Sequence, residues 1–365
     1  MRRYIHQLPN WSHFQWDKDA LAAPLGEAKR RQGRLYGRME QLGFPLRKEA
    51  ALRAMTADAV RTSAIEGEIV DPETVRSSLA RRMGIDIGGL KPADRHVDGL
   101  VDMLLDATRS HDAPLTEERL FGWQSALFPT GRSGMRRIKT GAWRDDADGP
   151  MQVVSGPDYR PRIHFEAPSA AALPREMAQF LEWFNEPAPA DPIVAAGIAH
   201  FWFVTIHPFE DGNGRIARAV ADMALARSES SRERFYSMSS EIGARRKSYY
   251  DILEASQKGG LDITPWLLWF VNCLGGALLA ADALLDEVWR KAAFWRDHGA
   301  APLNERQRDM LNLLLDGFEG KLTSSKWARI TKVSQDTASR DINGLVELGI
   351  LKKEAAGGRS TSYSL

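Results

Sequence analysis

The sequence predicts a mainly α-helical fold with one β-hairpin and a C-terminal winged helix-turn-helix domain. Apolar residues recur at spacings of three, four and seven along most of the chain, which is the pattern of amphipathic helices. The clearest non-helical region is residues 140–165, which contain two runs of β-prone residues separated by turn residues. After a break at residues 299–302, three helical patterns and two short strand patterns complete the chain.

The composition indicates no partner class by itself. With 365 residues, the chain is long enough for two or three domains. Its 49 Lys and Arg residues balance 48 Asp and Glu residues, so no global charge indicates nucleic acid or a membrane. The single cysteine, Cys273, excludes an intramolecular disulfide, and the first residues lack the apolar core of a signal peptide. We therefore expect a cytoplasmic protein.

One uncharged stretch, residues 263–281, approaches the length of a membrane span. Pro265, Asn272 and two adjacent glycines interrupt it, and the same helical pattern continues into charged residues. These features favour a buried core helix or a dimer helix over a bilayer span. The sequence therefore predicts no membrane partner and leaves a homodimer open.

The first helices lead to an isolated carboxylate. The first 48 residues contain an amphipathic helix that is predicted to pack against the rest of the protein. A second helix runs from about residue 47 to residue 63. Gly67 is a helix stop, which leaves the carboxylate of Glu66 free either to be solvated or to reach another part of the molecule. Later helices are predicted at residues 94–110, 116–126, 170–185, 192–206, 216–227, 240–257 and 264–297.

The chemistry is concentrated in residues 207–218, which read His-Pro-Phe-Glu-Asp-Gly-Asn-Gly-Arg-Ile-Ala-Arg. A glycine-flanked loop that enters a helix presents free backbone N–H groups, which form a site for anions. The side chain of Asn213 can add a donor, and Arg215 and Arg218 lie on one helix face in a position suited to a polyphosphate. Asp211 offers an oxygen ligand for Mg²⁺, and His207 can accept a proton from a hydroxyl.

This loop resembles the signature of Fic domain proteins, His-Pro-Phe-x-Asp-Gly-Asn-Gly-Arg-x-x-Arg, at every specified position. The resemblance extends over residues 116–270 and implies a helical Fic core that moves AMP from ATP to Tyr, Thr or Ser hydroxyls of proteins. It also implies that His207 is the general base, that Asp211 holds Mg²⁺, and that Arg218 holds the γ-phosphate. The implied cradle for the α- and β-phosphates consists of Gly212, Asn213, Gly214 and Arg215.

The predicted hairpin at residues 151–163 is similar to the flap of the same family, which aligns a target segment by adding a strand. In that arrangement Val154, Ser155 and Gly156 approach the nucleotide. The resemblance further implies adenosine contacts at Tyr249, Tyr250 and Gln257. Both tyrosines could equally pack in the core, and family members often have Asn at the position of Gln257.

Residues 62–67 resemble the inhibitory motif that many Fic proteins carry, with Thr62 followed by Glu66 and Gly67. A bidentate pair between Glu66 and Arg218 would occupy the donor that the γ-phosphate needs. The resulting domain prediction is an N-terminal helical extension at residues 1–112, a Fic catalytic domain at 113–298 and a winged helix-turn-helix domain at 302–365.

The tail carries a modest basic surplus. In a DNA-binding domain, Gln335, Thr337 and Arg340 would enter the major groove and the wing would contact phosphates. Winged helices also bind proteins, so both partners stay open.

Two functional hypotheses follow. The first is a self-inhibited protein adenylyltransferase that uses ATP with Mg²⁺ and modifies target proteins and itself; in a variant of it, the same site removes AMP. The second is a DNA-binding transcription regulator that senses a nucleotide. His207 favours the enzyme, since nucleotide sensing alone does not need a general base.

Overall fold

A computed structural model describes residues 4–86, 91–156, 160–186, 190–315, 318, 320–354 and 361–365. The predicted mainly α-helical class is confirmed, because strands occur only as three two-stranded pairs in these residues. The chain forms two compact units, Met1–Ala281 and Asp282–Leu365. The predicted domain limits at residues 112 and 298 stay a prediction.

The first unit contains the elements that build the site. Its helices are α1 (Lys18–Glu40), α2 (Phe44–Ile65), α3 (Pro72–Met83), α4 (Arg95–Arg109), α5 (Glu117–Leu127), α6 (Leu173–Asn185), α7 (Pro192–Ile206), α8 (Asn213–Glu229), α9 (Met238–Ala244), α10 (Arg246–Gln257) and the first part of α11 (Thr264–His298). Its strands are β1 (Arg132–Ser133), β2 (Arg136–Arg137), β3 (Gln152–Ser155) and β4 (Arg162–Glu166).

One helix of this unit, α3, was not predicted from the sequence. Asp71 caps its N-terminus by accepting from the backbone N–H of Glu73, and Pro72 occupies the first helical position. Gly84 ends it in the left-handed region. These local signals are sufficient for a short helix, although its apolar pattern is weak.

The centre of the unit is formed by α7 and α8, which pack against each other. Helix α7 is buried all round, and Trp266 of α11 donates a hydrogen bond to the carbonyl of Gly197 at 2.8 Å. A Cβ at Gly197 would lie 3.1 Å from Phe270, so a glycine allows α11 to approach α7 closely. Helix α8 begins at Asn213, three residues earlier than predicted, because Gly212 turns the chain with φ 90° immediately before it.

Among the described residues, α11 alone is long and apolar enough to cross a membrane by length and composition, and half of its most apolar window is buried within the protein. Trp266, Phe270 and Leu274 are fully buried. This burial is the arrangement that the core-helix interpretation predicts.

The flap consists of β3 and β4, which pair antiparallel with a bulge between Val153 and Val154. Residues 157–159 at its tip lie outside the described residues. His164 on β4 contacts the Glu254 carboxylate of α10 through Nδ1 at 2.6 Å, and its Nε2 lies 2.6 Å from Ser155 Oγ. These contacts tie the base of the flap to α10.

The second unit has the predicted order of elements: α12 (Glu305–Leu315), α13 (Ser324–Thr331), α14 (Gln335–Glu347), β5 (Lys352–Lys353) and β6 (Tyr363–Ser364). Its core includes Leu311, Trp327 and Ile342, which are fully buried. Gln335 and Arg340 are exposed at the start of α14, whereas the basic turn at residues 357–360 lies outside the described residues. The winged-helix assignment and DNA binding stay predictions.

Candidate active site

The loop between α7 and α8 is held by an interior side chain. Asn213 accepts a hydrogen bond from the Phe209 N–H at 2.9 Å through Oδ1 and donates one to the Phe209 carbonyl at 2.7 Å through Nδ2. Asn213 is 2% exposed, and Phe209 is fully buried. The Asn213 amide thus closes the loop, and its contact with a ligand stays a prediction.

Replacing Asn213 by alanine is expected to lower the free energy of unfolding by about 2–4 kcal/mol, because both polar groups of the buried Phe209 backbone would lose their partner. Chemical denaturation measures this loss. Asn213→Asp, which keeps the acceptor and removes the donor, should lie between the wild type and the alanine variant. A loss below about 0.5 kcal/mol in Asn213→Ala would contradict the role of this side chain.

His207 ends α7 with a left-handed backbone conformation, φ 53°. Its Nδ1 lies 3.2 Å from the carbonyl of Val204, so Nδ1 carries the proton and Nε2 has a free lone pair. Burial lowers the pKa of His207 to about 4, which keeps the imidazole neutral at physiological pH. The ring is therefore in the tautomer and charge state that a general base requires.

The buried Arg144 holds the backbone of His207 in place. The sequence analysis did not identify this arginine. Its Nε donates to the His207 carbonyl at 2.8 Å, and its backbone N–H donates to the Pro208 carbonyl at 2.9 Å. Two contacts to consecutive carbonyls hold the turn that presents the imidazole. No local sequence signal links residue 144 to residue 207, because the contact is purely tertiary.

Glu66 lies against the first turn of α8. A Cβ at Gly214 would lie 2.1 Å from Glu66 Oε1, so the carboxylate is next to the backbone of this turn. The first N–H groups of a helix lack partners within the helix and attract anions. Glu66 thus occupies space at the position where the sequence predicts phosphate.

Arg218 binds the same carboxylate. Its NH2 lies 2.8 Å from Glu66 Oε1, and it also donates to the Thr62 hydroxyl through Nε at 2.7 Å and to the Thr62 carbonyl. The predicted contact between Glu66 and Arg218 is present, but it is made through one guanidinium nitrogen and is not bidentate, because Nε donates to Thr62. Burial disfavours the charge on Arg218, but the Glu66 carboxylate outweighs burial and raises the pKa of Arg218.

Arg215 has a carboxylate partner that the sequence analysis missed. Its NH1 lies 2.5 Å from Glu68 Oε2, and its guanidinium lies 5.0 Å above the ring of Phe128. Glu68 also lies 3.1 Å from Nε2 of His96. Its position two residues after Glu66 was visible in the sequence, but nothing there indicated which arginine it would reach.

Asp211 lies at the mouth of the loop. Oδ1 accepts the Gly212 N–H at 2.6 Å, and Oδ2 accepts a hydrogen bond from the hydroxyl of Ser133 in β1. Within the described parts of the chain, no group of three or more His, Cys, Asp or Glu residues could hold a metal ion. A hard carboxylate of this kind fits Mg²⁺ that takes its other ligands from phosphates and water.

The predicted adenosine contacts divide into buried and exposed residues. Tyr249 is 2% exposed and its hydroxyl lies 2.8 Å from Nε2 of the buried His200, which favours the core-packing alternative. Gln257 is 5% exposed and donates to Thr205 at 3.3 Å. Tyr250 is 39% exposed, and its hydroxyl donates to the carbonyl of Ile65 at 3.3 Å. Tyr250 is thus the accessible member of the three.

The predicted flap contacts are accessible. Val154 is 53% exposed, and Ser155 and Gly156 are exposed as well. Gly156 has φ 92°, a conformation that favours glycine at the end of β3. The structure brings His207, Asp211, Arg215 and Arg218 together around the start of α8, whereas the nucleotide contacts of the flap stay a prediction.

The fold and the site together define a helical protein with a glycine-rich loop at the start of a central helix. Residues 114–225 match the model of the Fic/DOC family. Residues 4–85 match a domain of unknown function, DUF4172.

Curated relatives are similar over part of their length. The chain is 32% identical to the protein adenylyltransferase Fic of Culex quinquefasciatus over 62% of this chain and 41% of that protein. It is 42% identical over 55 residues to the protein adenylyltransferase fic-1 of Caenorhabditis briggsae, which is 14% of this chain and 11% of that protein. The chain thus spans 41% or less of the length of these two relatives.

Solved structures support the same fold. A Fic family protein from Desulfovibrio desulfuricans G20 has a TM-score of 0.50 at 20% identity and covers 94% of this chain and 95% of its own. A Fic domain containing signaling protein from Bacteroides thetaiotaomicron VPI-5482 has a TM-score of 0.52 at 20% identity, over 73% of this chain and 97% of its own. At this level of identity the likeness concerns the fold alone.

Proposed function

We propose that this protein is an adenylyltransferase that moves AMP from ATP to hydroxyl groups of proteins, itself included. The observation that carries the proposal is the neutral His207 with a free Nε2 beside a helix start that holds two buried arginines. A general base next to a polyphosphate site is the combination that nucleotidyl transfer requires. The names of the curated relatives agree with this activity.

The reaction can be written for the residues of this chain. The acceptor oxygen attacks the α-phosphorus, its proton moves to Nε2 of His207, and the bond to the β-phosphate oxygen breaks, so that pyrophosphate leaves. Arg215 and Arg218 stabilise the charge on the phosphates, as do the N–H groups at the start of α8. Asp211 would hold Mg²⁺, which neutralises phosphate charge when it is bound.

The wild-type chain is proposed to be self-inhibited. Arg218 is the predicted ligand of the γ-phosphate, and Glu66 and Thr62 occupy three of its hydrogen bonds. A bound triphosphate would need the same guanidinium, so ATP and Glu66 compete for it. The target proteins would add a strand to the flap, since β3 pairs with β4 alone in the described residues.

Labelled ATP tests the proposed chemistry. The Glu66→Gly variant is incubated with Mg²⁺ and with ATP that carries the label on either the α- or the γ-phosphate. We expect protein-bound label from α-labelled ATP only, because AMP is the transferred group. Label from γ-labelled ATP would show phosphoryl transfer instead. Protein-bound label that is lost after free ATP has been removed, with Mg²⁺ still present, would favour AMP removal.

A further inference from the structure

We propose that Glu68 is a second inhibitory carboxylate, which masks Arg215 from the nucleotide phosphates, and that His96 holds Glu68 in this position. The proposal rests on the proposed function, because Arg215 matters here as a phosphate ligand. It differs from the Glu66 contact in its target, its partner residue and its response to pH.

Glu68 stands between Arg215 and solvent. The Arg215 side chain is 1% exposed, whereas that of Glu68 is 34% exposed, and the two are joined at 2.5 Å. The ring of Phe128 lies against the guanidinium at 5.0 Å. With an aromatic ring and a carboxylate against it, the buried guanidinium has little surface left for a phosphate, which must displace Glu68 to reach it.

The charge state of His96 follows from its partners. Nδ1 lies 2.8 Å from the carbonyl oxygen of Leu127, and Nε2 lies 3.1 Å from Glu68 Oε2. A carbonyl and an ionised carboxylate can only accept hydrogen bonds, so both ring nitrogens donate and the ring is an imidazolium. In agreement, the hydrogen bond to Glu68 raises the pKa of His96 despite its burial and the nearby Arg215.

Both inhibitory carboxylates belong to one closed turn. The N–H groups of Glu66 and Glu68 both donate to the carbonyl of Ser63 at 3.0 Å, and Gly67 between them has φ 86°. These backbone hydrogen bonds fix the turn that carries both carboxylates at the end of α2. One short segment therefore covers both arginines of the phosphate loop and would release both if it moved away.

Nucleotide affinity tests this second contact directly. In calorimetric titrations of the full chain with Mg²⁺ and ATP, Glu68→Gln is expected to bind about five- to twentyfold more tightly than the wild type, because glutamine keeps the shape but loses the charge-assisted pair. Glu73→Gln is the matched control, since Glu73 is an exposed carboxylate of the next helix. Its affinity should equal that of the wild type.

The pH profile separates inhibition from a structural role. His96 faces Glu68 and Arg215 as its charged neighbours and the carbonyl of Leu127. The pKa of His96 is raised in the inhibited state. The positive charge on His96 therefore strengthens its contact with Glu68 fully below pH 6.5, and this contribution is lost as the pH rises through the raised pKa. Wild-type affinity for ATP should therefore rise with pH, and this rise should be smaller in both Glu68→Gln and His96→Gln.

Three results would overturn the proposal. An unchanged affinity in Glu68→Gln would show that Glu68 does not compete with phosphates. A weaker affinity would show that Glu68 holds Arg215 ready for the nucleotide. If neither ATP nor tripolyphosphate bound any folded variant, the proposed function would fail together with this inference. AMP transfer by Glu66→Gly with unchanged affinity in Glu68→Gln would leave the function intact and remove this inference alone.

Discussion

Replacing Glu66 by glycine is expected to raise the rate of AMP incorporation about 10- to 100-fold. Glu66 holds the buried Arg218 through an ion pair at 2.8 Å. A hydrogen bond to a charged group contributes about 1.5–3 kcal/mol. Each 1.36 kcal/mol removed from a barrier is about a tenfold change in rate. Removal of the carboxylate leaves Arg218 in place, because Thr62 still accepts two of its hydrogen bonds.

The rate is measured as label transferred from α-labelled ATP to the chain over time. Glu40→Gly is the matched control, since Glu40 is an exposed carboxylate at the end of α1, as Glu66 is at the end of α2. It should incorporate AMP at the wild-type rate. An equal rise in the rate of AMP incorporation in both variants would mean that the gain comes from a general destabilisation of the fold and not from the release of Arg218.

Replacing His207 by alanine is expected to lower AMP incorporation by about 10²- to 10⁴-fold, the usual contribution of a positioned acid or base. The change is made in the Glu66→Gly background, in which the activity is measurable. Affinity for ATP should be nearly unchanged, because the phosphate ligands lie on α8 and the imidazole is assigned to the acceptor hydroxyl. Calorimetry and label transfer together separate these two effects.

The pH dependence of the active variant follows from the same residue. A base with a pKa near 4 is unprotonated above this value, so protonation of His207 should reduce the rate only as the pH falls through about 4. His13→Ala, at an exposed histidine, is the control and should leave the rate unchanged. A His207→Ala variant as fast as its parent would remove His207 from the mechanism.

The loop could be predicted from the sequence because its chemistry is local. The glycines, the two arginines and His207 lie within twelve consecutive residues, so their spacing alone places them at one helix start. Glu66 was found through the resemblance of its motif, and the structure confirms its contact with Arg218. The exact form of that contact could not be predicted, because the position of Thr62 depends on how α2 packs against α8.

The remaining parts of the site depend on tertiary packing. Arg144, Glu68 and His96 belong to no motif, and each contacts its partner across more than 25 residues of sequence.

The helix predicted at residues 240–257 is two helices, α9 and α10, which meet at Arg245. Periodicity cannot show such a break, since the apolar pattern continues through it.

The amide of Asn213 shows a second limit of sequence reasoning. An Asn between two glycines suits a ligand contact and a loop closure equally well, because its side chain both donates and accepts. The distances to the Phe209 backbone decide for loop closure. The same holds for Tyr249, whose aromatic ring suits both a nucleoside and a core, and whose burial indicates the core.

Intact-mass spectrometry of Glu66→Gly after incubation with ATP and Mg²⁺ tests the central claim most directly. The account predicts a gain of whole AMP units in this variant, and no gain in the variant that also carries His207→Ala. A folded Glu66→Gly chain that binds ATP but gains no mass, or gains the mass of phosphate, would contradict the account.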